Sequence, residues 1–332
     1  MHFIKGLSPK TVGIAAAIIT VTIWTAFIVI ARASVKGSLT PFDLALARIG
    51  GASMVMVPLG WWLVRRDRAK PEHADARASS LFGLSPLSLR VTVITGLFGG
   101  LAYATLAYSG FFFAPAAHAS VLLPGSLPLW TTLLSALVLH DRITQLRALG
   151  LGFIVAGGLL VGGASLLHAF DGGEVWKGDL LFMVAAMSWS VYGVMARRHA
   201  LDAVRATVAI TVFALMSYVP AYSLLLALGV VKSHLLDAPW GEVVFQFLFQ
   251  GVGSVVIAGV TFTKMIQYFG PVRTTMITAL VPGLSALGAV IFLGEPLYWN
   301  LLAGLVLVTV GILFGVRGVA PVAIKNIANG AR

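Results

Sequence analysis

Residues equipped for chemistry are sparse in this chain, and their spacing argues for recognition rather than bond making. Its 332 residues include 12 acids, 7 histidines and no cysteine. Without thiols there is no disulfide framework, thiolate metal site, iron–sulfur cluster or cysteine nucleophile. No HExxH pair or other metal-ligand spacing occurs, most acids lie in polar connections, and no cofactor motif is present. What remains are isolated polar or ring-bearing groups inside apolar runs. Arg48 can oppose a substrate carboxylate, or anchor a helix by bonding carbonyls of its neighbours. His118 can respond to protons near neutral pH, or sit satisfied in a helix contact. Trp24 and Trp189 can line or gate a passage, or fill a helix interface. Tyr103, Tyr108 and Tyr192 offer hydroxyls at similar depths, to a solute or to a neighbouring helix.

The elements that position these groups follow from composition. Apolar residues make up 58% of the chain and charged ones only 11%, against about a quarter charged in a soluble domain. The charges cluster between apolar stretches long enough to cross a hydrocarbon core of roughly 30 Å as helices. Ten spans are expected, at 11–33, 41–64, 91–113, 115–139, 144–166, 178–197, 206–230, 242–268, 271–293 and 297–317. With both termini on the cytoplasmic side, 18 of the 23 lysines and arginines fall inside, 4 fall outside (Arg32, Lys36, Lys177, Lys232) and Arg48 stays within a span. The positive-inside rule favours that orientation strongly. The net charge of +11 therefore reads as membrane topology, since no segment is long and polar enough to offer nucleic acid a basic face. The first apolar run is of full spanning length and lacks a clear small-residue cleavage site, so it reads as a retained helix. The longest connection, Arg65 to Arg90, is too short for a domain, and no Walker-type phosphate loop appears, which argues against ATP-driven pumping by this chain alone.

The chain also repeats itself. Pro128, Asp141, Gly150 and Gly157 correspond to Pro282, Glu295, Gly304 and Gly311 at a common offset of 154, and Gly13, Trp24 and Arg32 to Gly178, Trp189 and Arg197 at an offset of 165. Residues 1–167 and 168–332 form two units of five spans each. Five is odd, so the second unit enters the membrane from the opposite side. Such inverted repeats exchange inward-open and outward-open shapes by rocking, with the solute site near the midplane between them.

The TIWTAFIVIAR and MSWSVYGVMAR segments, Arg48, and the stretch GPVRTTMITALVPGLSALGAVIFLGEPLYWNLLAGLVLVTVGI resemble the EamA-type carriers of the drug/metabolite transporter superfamily. The likeness extends over nearly the whole chain. It departs from the family pattern in the first half, where His140 and Asp141 stand in place of Gly-Glu. The resemblance implies a ten-helix carrier that exports or exchanges small metabolites such as amino acids.

Several residues then gain a place. Pro128 and Pro282, with Pro124 adding a second interruption, are expected to break the fourth and ninth spans at the solute site, or simply to kink them. Asp141 and Glu295 precede the last helix of each unit, where a carboxylate caps the positive helix end, or pairs as a gate. Gly158 with Gly162 and Gly311 with Gly315 have GxxxG spacing, for packing within the chain or in a homodimer. The reading is an all-α polytopic protein of a bacterial inner membrane, with both termini cytoplasmic. It is expected to be a monomer or homodimer that moves a small amphipathic metabolite, an amino acid by preference, outward by alternating access, with proton coupling open. A membrane-embedded enzyme, a passive channel and a carrier of drugs or sugars are the rivals.

Overall fold

The computed structural model describes residues 8–33, 38–69, 79–114, 116–162, 173–294 and 296–317. Ten apolar helices run through it: α1 Pro9–Ala33, α2 Pro41–Arg68, α3 Leu89–Gly110, α4 Ala116–Leu139, α5 Gln145–Gly162, α6 Val175–Arg198, α7 Ala203–Ala227, α8 Trp240–Phe269, α9 Pro271–Leu293 and α10 Trp299–Arg317. Nine are long and apolar enough to cross a membrane, and α5 is apolar but shorter within the described residues. Each matches one expected span, with ends differing by a few residues. No strand occurs among the described residues beyond an isolated bridge between Ser80 and Ser85.

Local sequence explains where the helices begin and end. Thr40 and Asp43 form a reciprocal capping box at the start of α2, with Pro41 at its first position, where a missing N–H costs nothing. Asp202 accepts from the N–H groups of Val204 and Arg205 to open α7. Gly270, at φ 79°, turns the chain from α8 into α9 before Pro271. α9 ends at Gly294 with φ 69°, and α4 ends at the corresponding residue, His140, with φ 57°. The first half thus places a side chain in a left-handed position where the second half uses glycine.

Neighbour relations obey the repeat. α4 packs on α6 as α9 packs on α1, α2 on α8 as α7 on α3, and α3 on α6 as α8 on α1. α5 and α10 meet each other, and the reciprocity extends to atoms. A Cβ on Gly150 would lie 2.6 Å from the Gly311 carbonyl oxygen, and one on Gly157 would lie 2.6 Å from that of Gly304. These are the four glycines that carry the repeat, seven residues apart rather than four. Gly158 meets only Val121 at an ordinary distance, so the close approach is made by Gly150 and Gly157. The corresponding spans α3 and α8 both widen into π-helix, at Leu97–Leu101 and Phe247–Ile257. Large apolar side chains such as Leu137, Leu159, Leu248 and Val306 are exposed on the outside of the bundle, as a hydrocarbon environment allows.

The corresponding prolines differ in what they do to their helices. α9 is interrupted at Ala279 and Leu280, and Pro282 opens its second segment. α4 continues through both Pro124 and Pro128, and between them Ser126 Oγ donates back to the Leu122 carbonyl.

Candidate functional site

The repeat brings its two corresponding tryptophans together. Trp24 of α1 and Trp189 of α6 meet edge to face with ring centroids 6.1 Å apart. Phe262 of α8 stacks on Trp24 at 5.2 Å and touches Trp189 at 5.4 Å, while Tyr103 and Tyr192 approach Trp189 at 4.8 and 5.3 Å. Beside this cluster lies a cleft lined by Trp24, Phe27, Arg48, Tyr103, Pro124 and Trp189, with Ser254 and Val281 closing it. It encloses about 30 Å³, and about 490 Å³ including its mouth. The smaller figure admits a water or two. A second cleft of equal size lies on the other side of Arg48 and Trp189 and reaches Tyr192, Thr207 and Thr211.

Arg48 is the polar centre of the site. Its side chain is buried, lies 5.9 Å from the Tyr103 ring centroid, and donates from Nη1 to Ser254 Oγ at 2.8 Å. Among the described residues no carboxylate lies within 4 Å of it. Asp43, five residues earlier, is turned to other work: it accepts from Thr40, Tyr222 Oη, Ser233 Oγ and the His234 N–H. That clasp ties α2 to α7 and the connection after it. At its other end α2 is tied to α7 again, by Asp67 with Arg205 at 2.5 Å. An arginine in the middle of a span costs roughly 2.5–3.5 kcal/mol. The Ser254 hydroxyl, the Tyr103 ring and the neighbouring Tyr108 hydroxyl answer part of that cost, and the cleft lies beside the guanidinium. Trp189 Nε1 is a second donor, buried and without a hydrogen-bond partner.

The remaining expected site residues fall outside the clefts. Tyr108 lines neither cleft, but it lies beside Arg48 and donates to Gln250 Oε1 at 3.1 Å. His118 is buried at the start of α4, with Nδ1 2.7 Å from Asp179 Oδ1 of α6. Pro128 and Pro282 do not line either cleft, though Pro282 closely faces Gly125 of α4. Asp141 lies in the connection before α5, whose first turn is capped by Thr144 Oγ1 instead. Glu295 lies outside the described residues. Among those residues no group of three His, Asp or Glu could hold a metal.

The family model for EamA-like transporters matches the chain twice, over residues 11–163 and 176–317. This chain belongs to the EamA-like transporter family. It is thereby a transporter of the drug/metabolite transporter superfamily, and its two repeated halves are those of the family. A curated relative, an uncharacterised transporter of Bacillus subtilis called YyaM, is 24% identical over 279 residues, covering 83% of this chain and 85% of that one. A solved crystal structure shares the fold with a TM-score of 0.60 at 22% identity, over 92% of this chain and 96% of its own.

Within this EamA-like transporter, sequence reading missed Ser254, Phe262 and Asp179. Ser254 and Phe262 carry no signal in a long apolar span, because their role depends on which face α8 turns to Arg48 and Trp24. Asp179, one residue inside the expected sixth span, was open to notice as an acid at membrane depth.

Proposed function

We propose that this transporter carries a small amphipathic metabolite bearing a carboxylate, of the amino-acid kind, outward across a bacterial inner membrane by alternating access, with both termini cytoplasmic. The observation that carries the reading is Arg48, buried against the cleft and bonded to a serine, with no carboxylate within 4 Å of it among the described residues. A solute carboxylate supplies the missing counter-charge, and the donor Trp189 Nε1 suits a polar atom of the same solute. Its apolar part lies against Trp24, Phe27 and Trp189. A solute with several phosphates asks for more cations than one arginine provides. The cleft is nearly closed in this conformation, so entry requires the two halves to move, which is the use of an inverted repeat.

The test is an untargeted mass-spectrometric comparison of medium and cytosol from cells expressing the wild type, Trp189→Ala or Arg48→Gln at equal membrane levels. One class of carboxylate solute is expected to accumulate outside with the wild type only. Accumulation of neutral or cationic solutes that is unaffected by Arg48→Gln contradicts the reading.

A further inference from the structure

Away from the central cleft, a second buried arginine keeps donors without a hydrogen-bond partner among the described residues. Arg147 lies in the first turn of α5, on the face that continues through Leu151 and Ile154 into a cluster with Val272 and Met276 of α9 and Val308 of α10. It is 3% exposed, less than Arg48, and its Nε and Nη1 are buried without a hydrogen-bond partner. Arg273, third residue of α9, faces it closely enough for the two charges to act on each other, and the positive end of α9 adds to the same sign. The carboxylate in electrostatic reach is Asp141, which is exposed and, among the described residues, makes no ion pair with Arg147. Buried polar groups in proteins are partnered in roughly nine cases of ten. Leaving a buried donor without an acceptor costs about 1–3 kcal/mol, and more for a charged group. The open guanidinium edge of Arg147, with a second cation in electrostatic reach, therefore describes half of an anion site.

We propose that Arg147 and Arg273 bind a phosphate group at the end of the bundle where α5 and α9 begin. Phosphate suits it because a guanidinium edge takes two oxygens side by side while a third oxygen is free for the second cation. The phosphate can come from an anionic phospholipid headgroup or from free phosphate in solution. By the distribution of basic residues this end faces the cytoplasm, where anionic lipid is met at the surface. The site is separate from the central cleft, so occupancy affects stability and the setting of α5 against α9 rather than solute recognition.

The full-length protein in nanodiscs tests this by thermal unfolding followed through tryptophan fluorescence. Three conditions are compared at equal ionic strength: phosphatidylcholine alone, phosphatidylcholine with phosphatidylglycerol, and phosphatidylcholine with millimolar inorganic phosphate in place of chloride. Phosphatidylglycerol, free phosphate or both are expected to raise the wild-type midpoint by about 5 °C. A response to phosphatidylglycerol alone assigns the lipid headgroup, and a response in phosphate buffer assigns the free ion. Arg147→Gln and Arg273→Gln lose the response, while Asp141→Asn keeps or enlarges it because a competing negative charge is gone. Should Arg147→Gln fail to fold, the half-buried Arg273→Gln and the charge-keeping Arg147→Lys decide. No wild-type shift under either condition, or an equal shift in the glutamine variants, overturns the proposal.

Discussion

Arg48 carries its charge into the helix bundle beside Ser254, Tyr103 and Tyr108, and its proposed role rests on its having no carboxylate within 4 Å among the described residues. Arg48→Gln keeps the volume and a donor but removes the charge. Loss of a charge-assisted bond of about 1.5–3 kcal/mol predicts a fall in carboxylate-solute flux of roughly 10- to 100-fold with little loss of folded protein. Arg48→Lys is expected to retain part of the flux, since the charge stays while the planar fork is lost. Equal flux in all three proteins, measured in proteoliposomes at matched protein content, contradicts the assignment. His140 gives a prediction of opposite kind. Its backbone sits at φ 57°, the conformation that Gly294 takes without strain in the other half, so His140→Gly is expected to stabilise by about 1 kcal/mol. A melting point in detergent raised by about 2–4 °C checks it. The residues legible in the sequence were those whose type is improbable at membrane depth: Arg48, Trp24 and Trp189 announce themselves. Tyr108 did not separate from Tyr103 by type or depth, and only the orientation of α3 puts one at the cleft and the other against Gln250.

The helices were readable because hydropathy, charge and helix-end chemistry all point the same way, from Thr40-Pro41 at the start of α2 to Gly294 at the end of α9. How the helices meet was readable only in part. The repeat singled out Gly150, Gly157, Gly304 and Gly311, whereas GxxxG spacing marked Gly311 and Gly315, which do meet Gly150 closely, and Gly158, which does not share in the contact. Any side chain on Gly157 meets the Gly304 backbone and Val308. Gly157→Val is expected to reduce folded yield severely, and Gly304→Val to do the same. Gly152→Ala, with nothing within 4 Å, is expected to be neutral or to stabilise by about 0.5–1 kcal/mol. Size-exclusion yield after heating distinguishes the three. The behaviour of Pro128 was not readable, since a proline inside a span kinks, breaks or is absorbed according to which neighbours answer the freed carbonyls.

At the scale of the whole molecule, symmetry links architecture to function. Corresponding residues meet, Trp24 with Trp189 and the α5 glycines with those of α10, and the proposed solute cleft lies where the halves join. α2 and α7 are held together at both ends, by Asp43 with Tyr222 and by Asp67 with Arg205, and are expected to move as one body. In this conformation the cleft encloses room for no more than a water or two, so the proposed alternating access requires it to open to each side in turn. The chain has no cysteine, which allows a direct test. Ser254→Cys places one thiol beside Arg48, and its labelling by a membrane-impermeant thiol reagent is measured in right-side-out cells and in inverted vesicles, with and without the solute class identified by mass spectrometry. Reaction from both sides, slowed by that solute at each, is the outcome predicted for alternating access. Labelling from neither side, or labelling unaffected by any transported solute, contradicts a solute cleft at Arg48.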